Sequence, residues 1–399
     1  MSDSPRGTAG KPLAGLRVVE LARILAGPWV GQTLADLGAD VIKVESPAGD
    51  DTRTWGPPWI EHESGRAAAY YHSCNRGKRS IALDFRDPDD LETARQLVDT
   101  ADVVIENFKV DGLKKFGLDW ESVKVRNPRL VYCSITGFGQ TGPYAHRAGY
   151  DLAIQGMSGV MDITGEPDGP PQRLGVAFAD VFTGLYGVIA VQAALAHRDR
   201  TGEGQWIDLA LLDSMMGVLG NQALNYLATG KSPKRIGNAH PSIVPYGDFE
   251  CADGHIIIAC GNDAQFERLA AILDLESAVF EANRTNAERV GNRDALCARI
   301  AETTRTQPRA HWLAAFEADG IPAGPINSVA EAFADPQAVH RGLQVERDGI
   351  PGVTTPIRMS GADIGDDRRA PGIGEHSEEI RAELAARLSE TGTKKGEPG

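Results

Sequence analysis

Short apolar runs and amphipathic stretches alternate along the first part of the chain. The β-branched run LAGLRVVELA precedes GPWVGQTLADLG, which has helical spacing, and then ADVIKVE, which ends at Glu45. A strand, a crossover helix and a strand within this length predict a βαβ unit with parallel strands. The alternation continues through RSIALDF, DDLETARQLVDTA, DVVIENF, WESVKVRN and RLVYCSI. It predicts an α/β fold with a doubly wound, Rossmann-like sheet over about the first 140 residues.

The later pattern predicts a second, smaller α+β domain. TGEGQWIDLALLDSMMGVLGNQALNYL predicts a short strand and one long helix, and a Gly/Pro-rich segment follows at 230–247. DFECADGHIIIACGN predicts a hairpin that turns at Asp253-Gly254, and helical patterns come after it. We therefore divide the chain into a large domain at 1–230, a small domain at 231–330, and a C-terminal segment at 331–399 that returns to the large domain.

Composition and charge exclude several classes of protein. The 399 residues carry 41 Lys and Arg against 55 Asp and Glu, and the net charge of −14 argues against nucleic-acid binding. Five cysteines lie far apart without a C-x-x-C pair, so we expect no metal site of that kind. The chain opens without a signal-like segment, and the apolar run 181–197 includes Gly, Thr, Gln and His. We expect a cytoplasmic protein without a membrane span.

Familiar catalytic motifs are missing from the sequence. Glu45 stands where a dinucleotide fingerprint places its acid, but the turn ARILAGPWVGQ lacks G-x-G-x-x-G, so nicotinamide binding is not predicted and Glu45 is interpreted as a surface acid. G-x-S-x-G and H-E-x-x-H are also absent, which excludes serine-hydrolase and zincin motifs. The basic segment NRGKRSIALDFRDP, with Arg76, Lys78, Arg79 and Arg86, is interpreted as a solvated, charge-balanced loop rather than an anion site.

Asp180 is the only charged residue between Arg173 and Arg198. Aspartate is a favoured N-cap and VFTGLYGVIAVQAALA is helix-like, so the local pattern favours a cap, held ionised by the helix dipole. A nucleophile also needs an ionised carboxylate, and the glycines that follow leave room for a substrate. On the residues alone, cap and catalyst both remain open.

Six segments, in this order and spacing, resemble the family III CoA-transferases, the family of formyl-CoA transferase, carnitine CoA-transferase and α-methylacyl-CoA racemase. They are LAGPWVGQTLADLGADVIKVE, NRGKRSIALD, VIENF, RAGYDLAIQGMSG, ADVFTGLYG and HRDRTGEGQWIDLALLD. The resemblance covers nearly the whole chain. It implies a homodimer of interlinked subunits, acyl-CoA and a small carboxylic acid as substrates, and no permanently bound cofactor.

The resemblance also implies that Asp180 is a covalent nucleophile. Its carboxylate would form a mixed anhydride with the donor acyl group and then an aspartyl-CoA thioester, and an acceptor carboxylate would reverse the steps. GDDTRTWGPPW, YCSITGFGQTGP, NAHPSIVPYGDF and GIPAGPINSV are most similar to family members that exchange CoA between succinate and glutarate. Malate, itaconate, oxalate or formate, and carnitine remain alternative acids.

Site residues carry over from the family position by position. CoA contacts are implied for Leu25, Ala26, Leu83, Asp84, Phe85, Arg86, Asn107, Phe108, Lys109, Lys115, Arg147 and Asp151. Substrate contacts are implied for Tyr150 and for Gly237, Asn238 and His240, which match a glycine-containing loop. A dicarboxylate needs a cation for its distal end, and a guanidinium suits it because it binds bidentately. The candidates for that cation are Arg53, Arg173, Arg23 and Arg235.

The racemase branch of the family is the alternative function. Its members carry an acid/base histidine in a GHD segment, which is GYD here, so Tyr150 takes that place. A tyrosine with an ordinary pKa of about 10 is a poor base at neutral pH. Transfer is therefore favoured over racemisation. Leu25 and Ser46 replace a glutamine and an arginine of formyl-CoA transferase, which argues against oxalate.

Overall fold

The computed structural model describes residues 10–394, and the side chains of 10–389. Within them the chain forms two compact units. Unit 1 comprises 10–160, 174–223 and 337–394, and unit 2 comprises 161–173 and 224–336. Compared with the predicted division, unit 2 also contains 161–173, 224–230 and 331–336.

The strands follow one another in chain order as β1 (Arg17–Glu20), β2 (Asp40–Glu45), β3 (Trp59–His62), β4 (Gly65–Ala68), β5 (Arg79–Ala82), β6 (Val103–Glu106), β7 (Val131–Thr136), β8 (Gln205–Ala210), β9 (Tyr246–Cys251), β10 (Gly254–Ala259), β11 (Ala323–Pro325), β12 (Gln344–Arg347) and β13 (Ile350–Val353). The helices are α1 (Ala26–Asp36), α2 (Ala69–His72), α3 (Pro88–Asp99), α4 (Trp120–Val123), α5 (Asp151–Met157), α6 (Phe178–Thr201), α7 (Leu211–Gly217), α8 (Asn221–Thr229), α9 (Asp263–Ile272), α10 (Ser277–Glu281), α11 (Asn286–Gly291), α12 (Arg293–Thr304), α13 (Arg309–Ala318), α14 (Val329–Ala334), α15 (Pro336–His340) and α16 (Ser377–Lys394).

A six-stranded sheet forms the centre of unit 1. Its strand order is β5-β2-β1-β6-β7-β8, and every neighbouring pair is parallel. The predicted doubly wound α/β sheet is therefore confirmed. The chain runs outward from β1 in one direction to β5 and then in the other direction to β8. Ligands of such sheets bind beyond the carboxyl ends of the strands where the direction changes, here at β1 and β6.

Helices cover both faces of this sheet. Val18 belongs to an apolar cluster with α1 and α6, and Val19, which points to the other face, belongs to a cluster with α3 and α16. Burial on both faces explains why these strands are nearly continuous apolar runs. By length and composition α6 is apolar enough to cross a membrane, but here it packs against α1 and the sheet.

Unit 2 contains a three-stranded antiparallel sheet in the order β11-β10-β9. Its apolar core includes Phe249, Ile256, Phe266 and Phe316. The predicted hairpin is confirmed, with a shift of one residue: Ala252 and Asp253 form the turn, since Cys251 pairs with the first residue of β10.

The predicted long helix after β8 is wrong, because two helices, α7 and α8, occupy that segment. Helix α7 ends at Gly217, and Gly220 has a φ of +56°. A residue in the left-handed region cannot continue a right-handed helix, and glycine adopts that region readily. The β3–β4 hairpin and β11 were not predicted.

Candidate active site

A cavity of about 850 Å³ lies at the carboxyl ends of β1, β2, β6 and β7. Its wall consists of residues that end or follow these strands, together with the loop at 145–150 and Asp180. All of its lining residues belong to unit 1. The cavity thus occupies the position that the strand order favours for a ligand.

Most of the CoA contacts implied by sequence line this one cavity, although they come from distant parts of the chain. The lining includes Ala26, Leu83, Asp84, Phe85, Asn107, Phe108, Lys109, Lys115 and Arg147, with Arg23, Tyr150 and Asp180. It does not include Leu25, Arg53, Arg86 or Asp151. Arg173, Arg235, Gly237, Asn238 and His240 lie in unit 2. The ligand contacts of all these residues stay predictions.

Asp180 is the third residue of α6. The N-cap residue is Ala177, so the prediction that Asp180 caps the helix is wrong. Asp151 supplies the capping carboxylate instead: its Oδ1 accepts a hydrogen bond from the backbone N–H of Ala179 at 2.8 Å. The side chain of Asp180 is half-buried in the cavity wall, so its carboxylate faces the space that a ligand would occupy.

The charge state of Asp180 also differs from the expectation. Burial, and to a lesser degree the nearby Asp151 carboxylate, raises the pKa of Asp180 to about 7. The helix start therefore does not hold this group ionised well below neutral pH, as a cap would be held. When a carboxylate is destabilised by its site, its conversion to a neutral acyl group lowers the free energy of the protein. This environment suits a nucleophile that becomes acylated.

Tyr70 in α2 is a neighbour of Asp180 that sequence reasoning missed. Burial raises the pKa of Tyr70 to about 12, and the charge of Asp180 contributes to the shift. The phenol therefore keeps its proton at neutral pH. The segment AAAYYHS contains no signal that would single out this tyrosine.

Asn107 holds the loop between β1 and α1. Its Oδ1 accepts from the N–H of Arg23 at 3.0 Å, and its Nδ2 donates to the carbonyl of Arg23 at 2.6 Å. The next residue, Ile24, has a φ of +73°, which is unusual for a β-branched residue, and its N–H donates to the carboxylate of Asp50 at 3.3 Å. The amide of Asn107 is thus engaged in shaping the cavity wall.

A buried network of ion pairs holds the loop between β1 and α1 through Asp50. The Oε1 of Glu20 accepts from Lys43 and from Lys78, both at 3.0 Å, and all three side chains are buried. Lys43 also contacts Asp50 at 2.9 Å. Burial alone would lower the pKa of Lys43, but Glu20 and Asp50 outweigh burial and raise it. Lys43 therefore stays charged and holds Asp50, whose carboxylate accepts the N–H of Ile24.

Burial makes the sequence-based interpretation of Glu45 wrong, and that of the basic segment wrong in part. Glu45 is buried and not on the surface: Arg53 donates to it through Nε at 2.8 Å and through Nη2 at 2.6 Å. The guanidinium of Arg53 is therefore occupied, which disfavours it as the partner of a substrate carboxylate. Lys78 and Arg79 are also buried and paired, so their part of the basic segment is not solvated, whereas Arg86 is exposed as predicted.

Aromatic and basic side chains lie together in another part of the cavity wall. The rings of Phe85 and Phe116 pack edge to face with their centres 5.3 Å apart. The Nζ of Lys115 lies 4.7 Å from the centre of the Phe116 ring. Phe108 is held by Glu106, whose Oε2 accepts its backbone N–H at 2.8 Å. Aromatic faces beside lysines suit a ligand that has both a flat ring and phosphates.

Arg147 is a further cation of the cavity wall. Its guanidinium lies 4.4 Å from the centre of the Tyr144 ring and 5.3 Å from that of Phe138.

Asp84, in contrast, pairs with Arg86 at 2.8 Å. The implied CoA contact of Arg86 therefore competes with a salt bridge to its own neighbour.

The substrate residues predicted in unit 2 form a local hydrogen-bonded loop. Gly237 donates its N–H to the carbonyl of Gly165 at 3.1 Å. Asn238 donates to Asp248 at 3.1 Å, and the Nδ1 of His240 accepts from the N–H of Ser242 at 3.1 Å.

Comparisons with known proteins agree with this fold and cavity. The family model described as CoA-transferase family III matches residues 13–377. The chain belongs to CoA-transferase family III, whose members act on acyl-CoA. Two relatives have names that specify their substrates. The succinate–glutarate CoA-transferase of Agrobacterium fabrum is 56% identical over 96% of this chain and 98% of that protein. The human succinyl-CoA:glutarate CoA-transferase is 43% identical over 94% of this chain and 86% of that protein.

A solved structure is also similar over nearly its whole length. It is a CAIB/BAIF family protein from Brucella suis, with 62% identity, a TM-score of 0.87, and coverage of 94% of this chain and 100% of that one. The family resemblance drawn from the sequence segments is confirmed.

Proposed function

We propose that this CoA-transferase moves CoA from succinyl-CoA to glutarate through covalent acylation of Asp180. The observation that carries the proposal is the half-buried Asp180 carboxylate in the wall of a cavity that also presents Lys109, Lys115 and aromatic rings. The named substrates of the relatives from Agrobacterium fabrum and human support the choice of acids.

The reaction proceeds by four acyl transfers. The carboxylate of Asp180 attacks the thioester carbonyl of succinyl-CoA, the C–S bond breaks, and CoA leaves as a thiolate. The thiolate attacks the aspartyl carbonyl of the mixed anhydride, and succinate leaves with the bridging oxygen. A glutarate carboxylate then attacks the aspartyl thioester and releases the thiolate, which finally attacks the glutaryl carbonyl and restores the carboxylate of Asp180.

The cavity residues bind and orient the reactants in this scheme. Lys109 and Lys115 supply positive charge for the phosphates of CoA, and the aromatic wall with Phe85 and Phe108 receives the adenine ring. Apolar surroundings keep water away, and the thioester is conserved only while water is excluded.

A panel of acceptor acids tests the substrate assignment. The enzyme is incubated with succinyl-CoA and, in turn, glutarate, malate, itaconate, oxalate, formate or carnitine, and the CoA products are identified by mass spectrometry. We expect glutaryl-CoA to form at the highest kcat/KM. A different preferred acid would overturn the choice of glutarate. Deuterium uptake from heavy water at the α-carbon without any acceptor would favour the isomerase alternative.

The pH dependence of transfer follows from the raised pKa of Asp180. Only the carboxylate form attacks the thioester, so protonation removes the nucleophile. Because the pKa of Asp180 is about 7, kcat/KM for succinyl-CoA will be constant at alkaline pH and will fall as the pH drops through about 7. Recovery of full activity after return to pH 8 controls for acid unfolding. A flat profile down to pH 5 would contradict this prediction.

We also propose a homodimer. Leu185, Tyr186 and Ile189 lie on one face of α6 and are 42%, 40% and 62% exposed. Contiguous apolar patches of this kind mark protein interfaces, and the family resemblance implies interlinked subunits. Light scattering at micromolar concentration should give about twice the chain mass of 42.7 kDa. A single-chain mass that does not change with concentration would refute the dimer.

We propose a cytoplasmic location as well. All five cysteines are free thiols, and four of them are buried, which is in keeping with a reducing compartment.

A further inference from the structure

Two side chains of α5 bind the segment that leads into α6. Asp151 accepts from the backbone N–H of Ala179 at 2.8 Å, and the Oε1 of Gln155 accepts from the backbone N–H of Leu174 at 2.9 Å. The two side chains are themselves joined, since the Nε2 of Gln155 donates to the Oδ2 of Asp151 at 2.7 Å. Residues four apart lie on one face of a helix, so α5 presents both groups to the same segment.

This arrangement leaves the segment before Asp180 little freedom. Gln155 is fully buried, and its Nε2 also reaches the carbonyl of Val176 at 3.4 Å. The chain from Leu174 to Ala179 is therefore held at both ends, and Asp180 is the next residue. The direction of the Asp180 side chain into the cavity depends on these contacts.

The same arrangement places two carboxylates at one helix start. Asp151 is compensated by the N–H of Ala179 and by Gln155, whereas α6 has no side-chain hydrogen bond from its own N-cap residue, Ala177. The negative charge of Asp151 acts on Asp180, together with burial. Tyr70 is a further titratable group that interacts with Asp180, and it is neutral. Acylation of Asp180 removes one of the two charges and so relieves their repulsion.

We propose that Asp151 is the positioning residue of the nucleophile: it fixes the first turn of α6, and its charge favours acylated Asp180 over the free carboxylate. This inference rests on the proposed function, in which Asp180 is acylated. Both acylated forms, the anhydride and the thioester, are neutral at Asp180. Asp151 acts through Asp180 rather than on CoA, which differs from the CoA contact implied by the family resemblance.

Three variants separate the cap from the charge. Asp151→Asn keeps an oxygen for the N–H of Ala179 but removes the charge, while Asp151→Ala removes both. The double variant Asp151→Asn/Gln155→Glu keeps the bonds from the N–H groups of Ala179 and Leu174, reverses the polarity of the bond between the two side chains, and moves the charge from position 151 to position 155. Asp213→Asn is the matched control, because Asp213 is an exposed acid in the first turn of α7. Thermal melting shows which variants are folded.

Two measurements on Asp151→Asn test the charge of Asp151: the pH at which activity is lost, and the fraction of enzyme that is acylated. In Asp151→Asn, loss of the like charge lowers the pKa of Asp180, so the acid limb of kcat/KM moves about one unit toward lower pH. At pH 8, where Asp180 is ionised in every variant, the acylated fraction captured from succinyl-CoA with hydroxylamine falls about tenfold, since one pKa unit corresponds to a factor of ten. The double variant should show intermediate values for both, and Asp213→Asn should match the native enzyme.

The inference fails if Asp151→Asn loses activity while its acid limb stays in place and the double variant regains activity, because a purely structural cap would give that result. A titration without substrate keeps this failure distinct from failure of the proposed function. The carboxyl ¹³C resonance of Asp180, assigned with Asp180→Asn, reports its pKa in the free enzyme. If this pKa falls in Asp151→Asn but no Asp180 adduct forms with any acyl-CoA, the proposed function is wrong and the electrostatic contact stands. If the pKa does not change, the charge role of Asp151 is wrong.

Discussion

Asp180→Asn will reduce CoA transfer by about 10⁴-fold or more, the scale seen when a covalent nucleophile is removed. An amide has nearly the shape of a carboxylate but is a far weaker nucleophile, so no anhydride forms. The fold should be preserved, because Asp151 and not Asp180 caps α6. The rate of glutaryl-CoA formation from succinyl-CoA measures the effect.

The control for this variant is Asp213→Asn, which changes the net charge equally at an exposed position and should retain native activity. CoA should still raise the melting temperature of Asp180→Asn, because the proposed phosphate and adenine contacts involve other residues of the cavity wall. A rate for Asp180→Asn within tenfold of the native enzyme would show that another group accepts the acyl chain.

Glu20→Gln will lower the free energy of unfolding by about 3–5 kcal/mol, the usual cost of removing one partner from a buried ion pair. The reason is specific to the network, since Glu20 compensates both Lys43 and Lys78 in the protein interior. Without its charge, Lys43 keeps Asp50, but Lys78 is left to neutral acceptors, the carbonyl of Pro28 and the side chain of Asn75. Urea unfolding, followed by circular dichroism, measures the change.

The matched control is Glu61→Gln. Glu61 pairs with Arg66 at 3.0 Å between two exposed side chains, and such surface pairs contribute about 0–1 kcal/mol. Equal losses in the two variants would contradict the importance of burial for this network. The network also holds Asp50, which binds the backbone N–H of Ile24 in the cavity wall. A folded Glu20→Gln enzyme should therefore show a raised KM for acyl-CoA.

The sheet and the location of the cavity were predictable because they depend on local patterns. Alternating strands and helices specify parallel pairing, and the residues that follow the strands, such as Asn107 and Phe108, necessarily meet at one edge. The same rule favours a ligand beyond these strand ends, whereas the CoA contacts of Asn107 and Phe108 were implied by the family resemblance. Family resemblance was needed to single out Asp180 as a nucleophile, since the local pattern by itself favours a cap.

The electrostatics of the site were not predictable, because the partners are distant in sequence. Asp151 caps α6 from 28 residues before Ala179, so the sequence around Asp180 does not reveal that its capping role is already filled. Lys78 is buried because Glu20, 58 residues earlier, compensates it. A basic segment seen without its partners is indistinguishable from a solvated loop.

Oxygen exchange at Asp180 tests the covalent mechanism most directly. In the proposed mechanism, succinate leaves in each turnover with one oxygen of Asp180, and the carboxylate is rebuilt with an oxygen from glutarate. The enzyme is therefore turned over with succinyl-CoA and glutarate carrying ¹⁸O in its carboxylates, digested, and analysed by mass spectrometry of the peptide containing GVAFADVFTG. We predict that Asp180 gains first one ¹⁸O and then a second. An unlabelled Asp180 after many turnovers, with glutaryl-CoA accumulating, would contradict the mechanism.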